Sequence, residues 1–369
     1  MEDGRVRILL VSSFVVPHAG GVEQFVQTVH KMLEERGCEV RLLACRRPGE
    51  DATADAVVPT RYLGPGEWPL PVAGWRTIRQ EVARADAVVA NVALQPLSVA
   101  AVAVARMRGV PRLLVVHGSG QPRRHGSRAL LALRALFMRT VTRSAMRQCL
   151  PVSVSVAGVG GAERAYGVPV RYLPYPLAEL PAAAPSPAPS PGEQLRLAWV
   201  GRLAPEKDPL LAVRALDHLR ERRDATLDVY GSGPLGSELA RLGEARPWLT
   251  LHGSRPWPEV LAAQERAHAC LSTSRWDNVQ VAVLEALARG VPVISTRVGD
   301  APRYYSLPGL ERFCVPPGDP ASVAVAAATV AVGYDDHRRA FAENGARLRA
   351  VHRESSRILM ELIADAGAR

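Results

Sequence analysis

Two carboxylates in the second half of the chain have the type and spacing to hold a polar ligand. Asp277 and Glu285 stand with seven residues between them in STSRWDNVQVAVLEALARGVPVISTRV, residues 272–298. Were both helical, the 3.6-residue period would set them about 80° apart, and they would converge poorly. With Asp277 in a loop and Glu285 inside the helix that follows, both face a ligand at the helix start. The amides of Asn278, Val279 and Gln280 then address the same place, where the helix dipole favours an anion. An N-capping Asp and a solvated helical Glu would give the same letters, and that spacing arises often by chance. Upstream, GRLAPEKD (201–208) carries Arg202 and Lys207. Lys207 and Lys31 are the only lysines among 46 basic residues. A planar guanidinium and a mobile ammonium can converge on a diphosphate. Charge that grows on a departing diphosphate needs such cations.

Other signals are weaker alone. Gly20-Gly21 precedes a helix, where missing side chains and the helix dipole let backbone approach a ligand. A simple tight turn would look the same. The pair is not the GxGxxG pattern, which disfavours a nicotinamide enzyme. His117 ends an apolar run, LLVVH, and can hydrogen-bond a hydroxyl there or serve only structure. Gly231-Ser232-Gly233-Pro234 is common loop chemistry.

These residues need a scaffold of strands ending in loops. Residues 7–13 read as a strand, 22–35 as a helix with apolar residues at i, i+3, i+4 and i+7, and 39–45 as a second strand. That is a βαβ unit, which prefers a parallel sheet. Further strands are expected near 87–92, 113–117, 150–155 and 171–173. PAAAPSPAPSPG, 181–192, has five prolines in twelve residues and reads as an extended linker. A second series follows: 195–200, 227–230, 250–252, 269–273, 292–296 and 313–315, with 335–366 helical. At 369 residues the chain exceeds what one core usually supports. The expectation is α/β, two Rossmann-like doubly wound domains facing a cleft: 1–180, the linker 181–192, 193–345, and a last helix, 346–369, crossing back to the first domain.

Apolar residues at 47% and charged residues at 22% are ordinary for a soluble globular protein. Neither a signal peptide nor a run of about 20 apolar residues is recognised. Five cysteines without metal or disulfide spacing favour a reducing cytoplasm. The net charge of +10 is concentrated. Between Asp86 and Glu163 there is no acidic residue but there are ten arginines, so the remainder balances. The basic segment 123–147 mixes Arg with Leu, Phe and Met. It suits an anionic membrane face, an anionic acceptor or plain solvent. No recognition motif or aromatic platform points to nucleic acid. The Arg, Ala, Pro and Val usage suggests a GC-rich bacterial genome.

Taken together, these motifs resemble the GT-B retaining glycosyltransferases of family 4 (group 1). LEALARGVPVI, 284–294, is the specific element; the glycine pieces are not. The resemblance implies that Arg202 and Lys207 hold a donor diphosphate and that Glu285 binds ribose hydroxyls. Asp277 with the amides of Asn278, Val279 and Gln280 would orient the sugar. Gly21 would approach the phosphates, His117 the sugar, and Arg255 the nucleobase. It implies a nucleoside-diphosphate sugar, UDP by family frequency, and an acceptor that is a natural product, glycan or lipid. It implies no metal or cofactor, and retention by front-side attack. A cytoplasmic monomer or homodimer is expected, with the basic segment 123–147 as its point of peripheral contact with the inner membrane face. Asp277-Asn278-Val279-Gln280 departs from the usual Glu-Gly-Phe-Gly, which bears on the sugar subsite. A GT-B sugar-nucleotide epimerase and a catalytically silent partner subunit fit the same letters.

Overall fold

The computed structural model describes residues 5–13, 21–46, 54–63, 68–92, 95–118, 128–177 and 193–368, with 180, 182 and 186–190 of the linker. Gly20, Arg123 and Arg124 lie outside the described residues, as do several linker positions. The chain divides into two compact units, Met1–Ala178 with His352–Arg369, and Glu179–Val351.

In the first unit the strands are β1 (Arg7–Ser12), β2 (Glu39–Cys45), β3 (Ala56–Val58), β4 (Thr60–Leu63), β5 (Trp68–Pro71), β6 (Ala87–Asn91), β7 (Arg112–Val116), β8 (Leu150–Ser153) and β9 (Arg171–Tyr172). Seven form a parallel sheet in the order β3-β2-β1-β6-β7-β8-β9. β4 and β5 pair antiparallel as a separate hairpin, which the apolar pattern did not reveal. Leu10 of β1 registers with Leu42 on one side and Val89 on the other. β1 and β6 are buried almost throughout, as strands covered on both faces must be. The helix Gly21–Glu34 lays Phe25, Val26, Val29 and Leu33 on this sheet. Truncating one such buried Leu to Ala would cost about 2–5 kcal/mol.

The C-terminal residues belong to this unit. Helix Tyr334–Arg353 is broken at Glu354, and helix Ser355–Gly367 follows. Ser355 Oγ donates to Pro174 O at 2.9 Å, and Arg36 reaches Ser356 Oγ at 2.8 Å.

The second unit has β10 (Leu195–Val200), β11 (Ala225–Tyr230), β12 (Leu249–Gly253), β13 (Ala269–Ser272), β14 (Val293–Thr296) and β15 (Cys314–Val315). All are parallel, in the order β12-β11-β10-β13-β14-β15. Each sheet therefore reverses its winding once, between β1 and β6 and between β10 and β13. Loops leaving the two strands at such a point diverge to opposite faces and open a crevice at the carboxyl ends. Both units are Rossmann-like. Among the described residues, no helix is long and apolar enough to cross a membrane.

Candidate functional site

In the second unit the loops after β10 and β13 flank the reversal, and they are tied together. Lys207 Nζ and Asp277 Oδ2 form an ion pair that joins the two loops. Both side chains are more than half buried. The backbone makes this meeting possible. Thr273 Oγ1 accepts from Trp199 Nε1 at 2.9 Å and donates to Asp208 O at 2.7 Å. Arg275 N donates to Glu206 O at 2.8 Å, and Arg275 Nε donates to Asp208 Oδ2 at 2.8 Å. Asp208 also caps the helix Pro209–Arg220 from a left-handed conformation, φ 41°. Lys207 is thus anchored at its own carbonyl end while its ammonium keeps protons beyond the one given to Asp277. Arg202 is exposed and pairs with Glu206, which leaves both cations able to turn to an anion.

Glycines press a third loop against this pair. Gly231 has φ 135°, and a Cβ there would meet Gly201 O at 1.9 Å. Gly233 has φ 155°, and its Cβ would meet Leu203 O at 2.5 Å. Any side chain would push the loop after β11 off the loop that carries Arg202. On the other flank, Gly299 lies against Asp277 O and Asn278 O, both 2.4 Å from a built Cβ.

The helix Val281–Ala288 begins at Gln280, whose side chain turns inward. Its Oε1 accepts from Ser272 Oγ at 2.6 Å and Ser295 Oγ at 2.9 Å. Asn278 N is taken by Asp277 Oδ1 at 3.0 Å. The amides of Val279 and Gln280 have no hydrogen-bond partner among the described residues. A Schellman closure at Gly290, with Gly290 N to Leu287 O and Val291 N to Ala286 O, both 2.9 Å, ends the helix. Glu285 is buried on it and accepts from Trp257 Nε1 at 3.1 Å. Arg255 is exposed after β12, two residues before Trp257, and its Nε donates to His252 O at 3.0 Å. Arg202, Lys207, Asp277, Glu285 and Arg255 all come from the carboxyl-end side of one sheet.

In the first unit His117 follows β7 beside Asn91 at the end of β6. Asn91 Nδ2 donates to Val11 O at 3.3 Å, which turns its Oδ1 to His117 Nε2 at 3.4 Å. That network assigns the proton to Nε2. Burial pushes the imidazole down to about 4, so it is neutral at pH 7. Phe25 packs edge-on to the ring, centroids 4.6 Å apart. Tyr175 neighbours Phe25, and its hydroxyl donates to Gly21 O at 2.8 Å. Gly21 and His117 are thereby linked through Phe25 and Tyr175.

Sequence reasoning missed Trp257, Arg275, Asp208, Asn91 and Tyr175. Asp208 before Pro209 carried a visible helix-start signal. The others carried none, because their partners are 26 to 154 residues away. Among the described residues, no group of three His, Cys, Asp or Glu side chains is close enough to share a metal ion.

Two family models match the chain, "Glycosyltransferase Family 4" over residues 19–169 and "Glycosyl transferases group 1" over 194–331. No curated protein matches its sequence. Several solved structures share its fold over nearly the whole length. Sucrose-phosphate synthase from Thermosynechococcus elongatus aligns with TM-score 0.69 at 18% identity, over 98% of this chain and 100% of that one. HepE of Anabaena, solved with UDP and glucose, aligns with TM-score 0.74 at 14% identity, over 98% and 100%. TarM aligns with TM-score 0.72 at 10% identity, over 99% of each.

Proposed function

The chain belongs to the group 1 glycosyltransferases of GT-B fold, and on that premise we propose that it moves a hexose-type sugar from a UDP-sugar to a hydroxyl-bearing acceptor, with retention and without a metal. The observation that carries this is the Lys207–Asp277 pair across the β10–β13 reversal. It puts a cation and a carboxylate where a doubly wound sheet holds phosphorylated ligands.

In this reading Lys207 and Arg202 swing onto the diphosphate, with the Val279 and Gln280 amides at the helix start adding donors. Glu285, fixed by Trp257, accepts from the ribose hydroxyls, and Arg255 borders the base. Asp277 orients the sugar and holds Lys207 between turnovers. At the first unit's own strand ends, neutral His117 can meet a hydroxyl, and Gly21 offers a bare backbone.

As the anomeric C–O bond breaks, its electron pair goes to the diphosphate oxygen, and the two cations stabilise that charge. The acceptor oxygen bonds the anomeric carbon from the same face, and its proton passes to the departing phosphate. Lys207 and Arg202 supply the charge stabilisation that a divalent ion gives other transferases.

The acceptor side is open to a lipid or glycan. Leu133, Leu136 and Val141 are exposed beside Arg139, Arg143 and Arg147. This mixture suits contact with an anionic membrane surface; residues 123–127 of the same segment lie outside the described ones.

The test is release of nucleoside diphosphate from UDP- and GDP-sugars, with EDTA present, across lipid, glycan and aglycone acceptors. Release that survives EDTA supports the reading. Interconversion of the donor without acceptor would replace it with an epimerase, and donor binding without turnover with a silent subunit.

A further inference from the structure

A second polar recess lies at the opposite end of the same sheet. It has a volume of about 100 Å³ and lies by the amino ends of β13 and β14. Glu265, Arg289, Pro292, Tyr334, Arg338 and Arg349 are among its walls. Three guanidinium groups therefore share a recess with one carboxylate. Glu265 is engaged by Arg289 Nη2 at 2.7 Å, and Arg289 Nη1 donates to Leu261 O at 2.8 Å. Arg349 gives one nitrogen to Ala288 O. Neither Arg338 nor Arg349 has a carboxylate within ion-pair distance among the described residues.

Arg338 Nε is a buried donor on these walls without a hydrogen-bond partner, and the buried Tyr334 hydroxyl turns to Ser186. Tyr334 is only 3% exposed. Ser186, on the same wall, also donates to Arg266 O and accepts from Arg196 Nη2, both at 3.3 Å. An unpaired buried donor costs about 1–3 kcal/mol, so native structures rarely keep one without a ligand or water to satisfy it. Guanidinium nitrogens have no acceptor capacity. The complement is therefore an anion rich in acceptor oxygens.

We propose that this recess binds a phosphate group, inorganic or as a monoester, at a site separate from the Lys207–Arg202 diphosphate site. The donors come from one helix, Tyr334 and Arg338 being one turn apart on Tyr334–Arg353, and Arg349 lies further along it. A tetrahedral dianion accepts from several directions at once, whereas a planar carboxylate offers two oxygens in one plane. Separation from the donor site follows from the fold: Lys207 and Asp277 leave the carboxyl ends of β10 and β13, and the recess lies at amino ends.

Calorimetric titration of the full chain in phosphate-free buffer tests this, first alone and then saturated with UDP. Inorganic phosphate and glycerol phosphate are the probes, and acetate is the planar comparison. Binding of phosphate that persists with UDP bound is expected. Arg338→Gln should weaken it by roughly tenfold, as loss of a charge-assisted hydrogen bond does. Tyr334→Phe, which keeps the ring against His268, should weaken it severalfold. UDP affinity and melting temperature without phosphate should stay unchanged in both variants. Tighter glycerol phosphate would mean an esterified ligand; tighter inorganic phosphate would mean the free ion. The proposal is overturned by absence of phosphate binding, by its disappearance on UDP saturation, by equal binding of acetate, or by binding unaltered in both variants. If UDP does not bind at all, the donor reading falls, and phosphate titration of wild type against Arg338→Gln still decides this site.

Discussion

The two units wind their sheets alike but furnish the reversal points differently. At β10–β13 the loops carry full charges in interlocked pairs: Lys207 with Asp277, Arg202 with Glu206, and Asp208 with Arg275. At β1–β6 and the neighbouring β7 the described residues are mostly neutral: Asn91, a neutral His117, Phe25 and Tyr175, with Glu23 buried in the first turn of the helix after β1. Each point also holds one non-glycine residue with positive φ, Asp208 at 41° and Val92 at 61°. Asp can support a left-handed backbone with its own side chain, as Asp208 does by capping. A β-branched Val cannot, so strain sits on the neutral side. One topology therefore carries two kinds of side chain at its reversal points, paired charges in the second unit and mostly neutral polar and aromatic groups among the described residues of the first.

That contrast is sharpest at Lys207. Lys207→Ala should lower turnover by about a thousandfold, the scale of losing a charge-stabilising group in a transition state. Circular dichroism should show the fold intact. Unchanged turnover would remove Lys207 from the diphosphate site. Asp277→Asn comes next: turnover should fall by about a hundredfold while UDP affinity changes by less than about tenfold, since a carboxamide still bonds but no longer balances the ammonium. Equal losses in calorimetric affinity and in turnover would make Asp277 a structural residue.

The neutral side should respond less. His117→Gln should reduce turnover by about tenfold, with little change in UDP affinity. A loss as large as that of Lys207→Ala would erase the distinction between the two units. His117 also sets a pH window. Burial pushes His117 and His268 each down to about 4, and lowers His352. Below the unfolded value of 6.5 the unfolded chain takes up protons that the folded one refuses. Stability is therefore full above about pH 6.5 and falls as pH drops toward 4. Melting curves from pH 7 to 4 should show this, with a shallower fall in His117→Gln. The smallest effect is expected at Trp257→Phe. It removes one hydrogen bond to Glu285 and should raise the donor KM about fivefold with kcat nearly kept. A fall in kcat alone would detach Trp257 from donor binding.

Apart from the short edge strand β3, both sheets were legible because strands buried on two faces read as apolar runs, and because the loops between them carry glycine and proline. The hairpin β4–β5 was not, since Thr60–Leu63 and Trp68–Pro71 have no clean alternation. The break at Glu354 was hidden because neither proline nor glycine marks it. Of the candidate residues, those adjoining strand ends were readable from position: Arg202, Lys207, His117 and Asp277. Gly231 and Gly233 read as ordinary loop residues, yet their close approach to Gly201 and Leu203 admits no side chain.

The chain's own letters settled which groups stand at each strand end and in what order the strands come, because both depend on neighbours a few residues apart. Which of those groups pair was decided only on folding. Lys207 meets Asp277, Trp257 meets Glu285, and Tyr175 meets Gly21 across separations of 70, 28 and 154 residues. No local pattern encodes such distances; the winding of the sheets sets them.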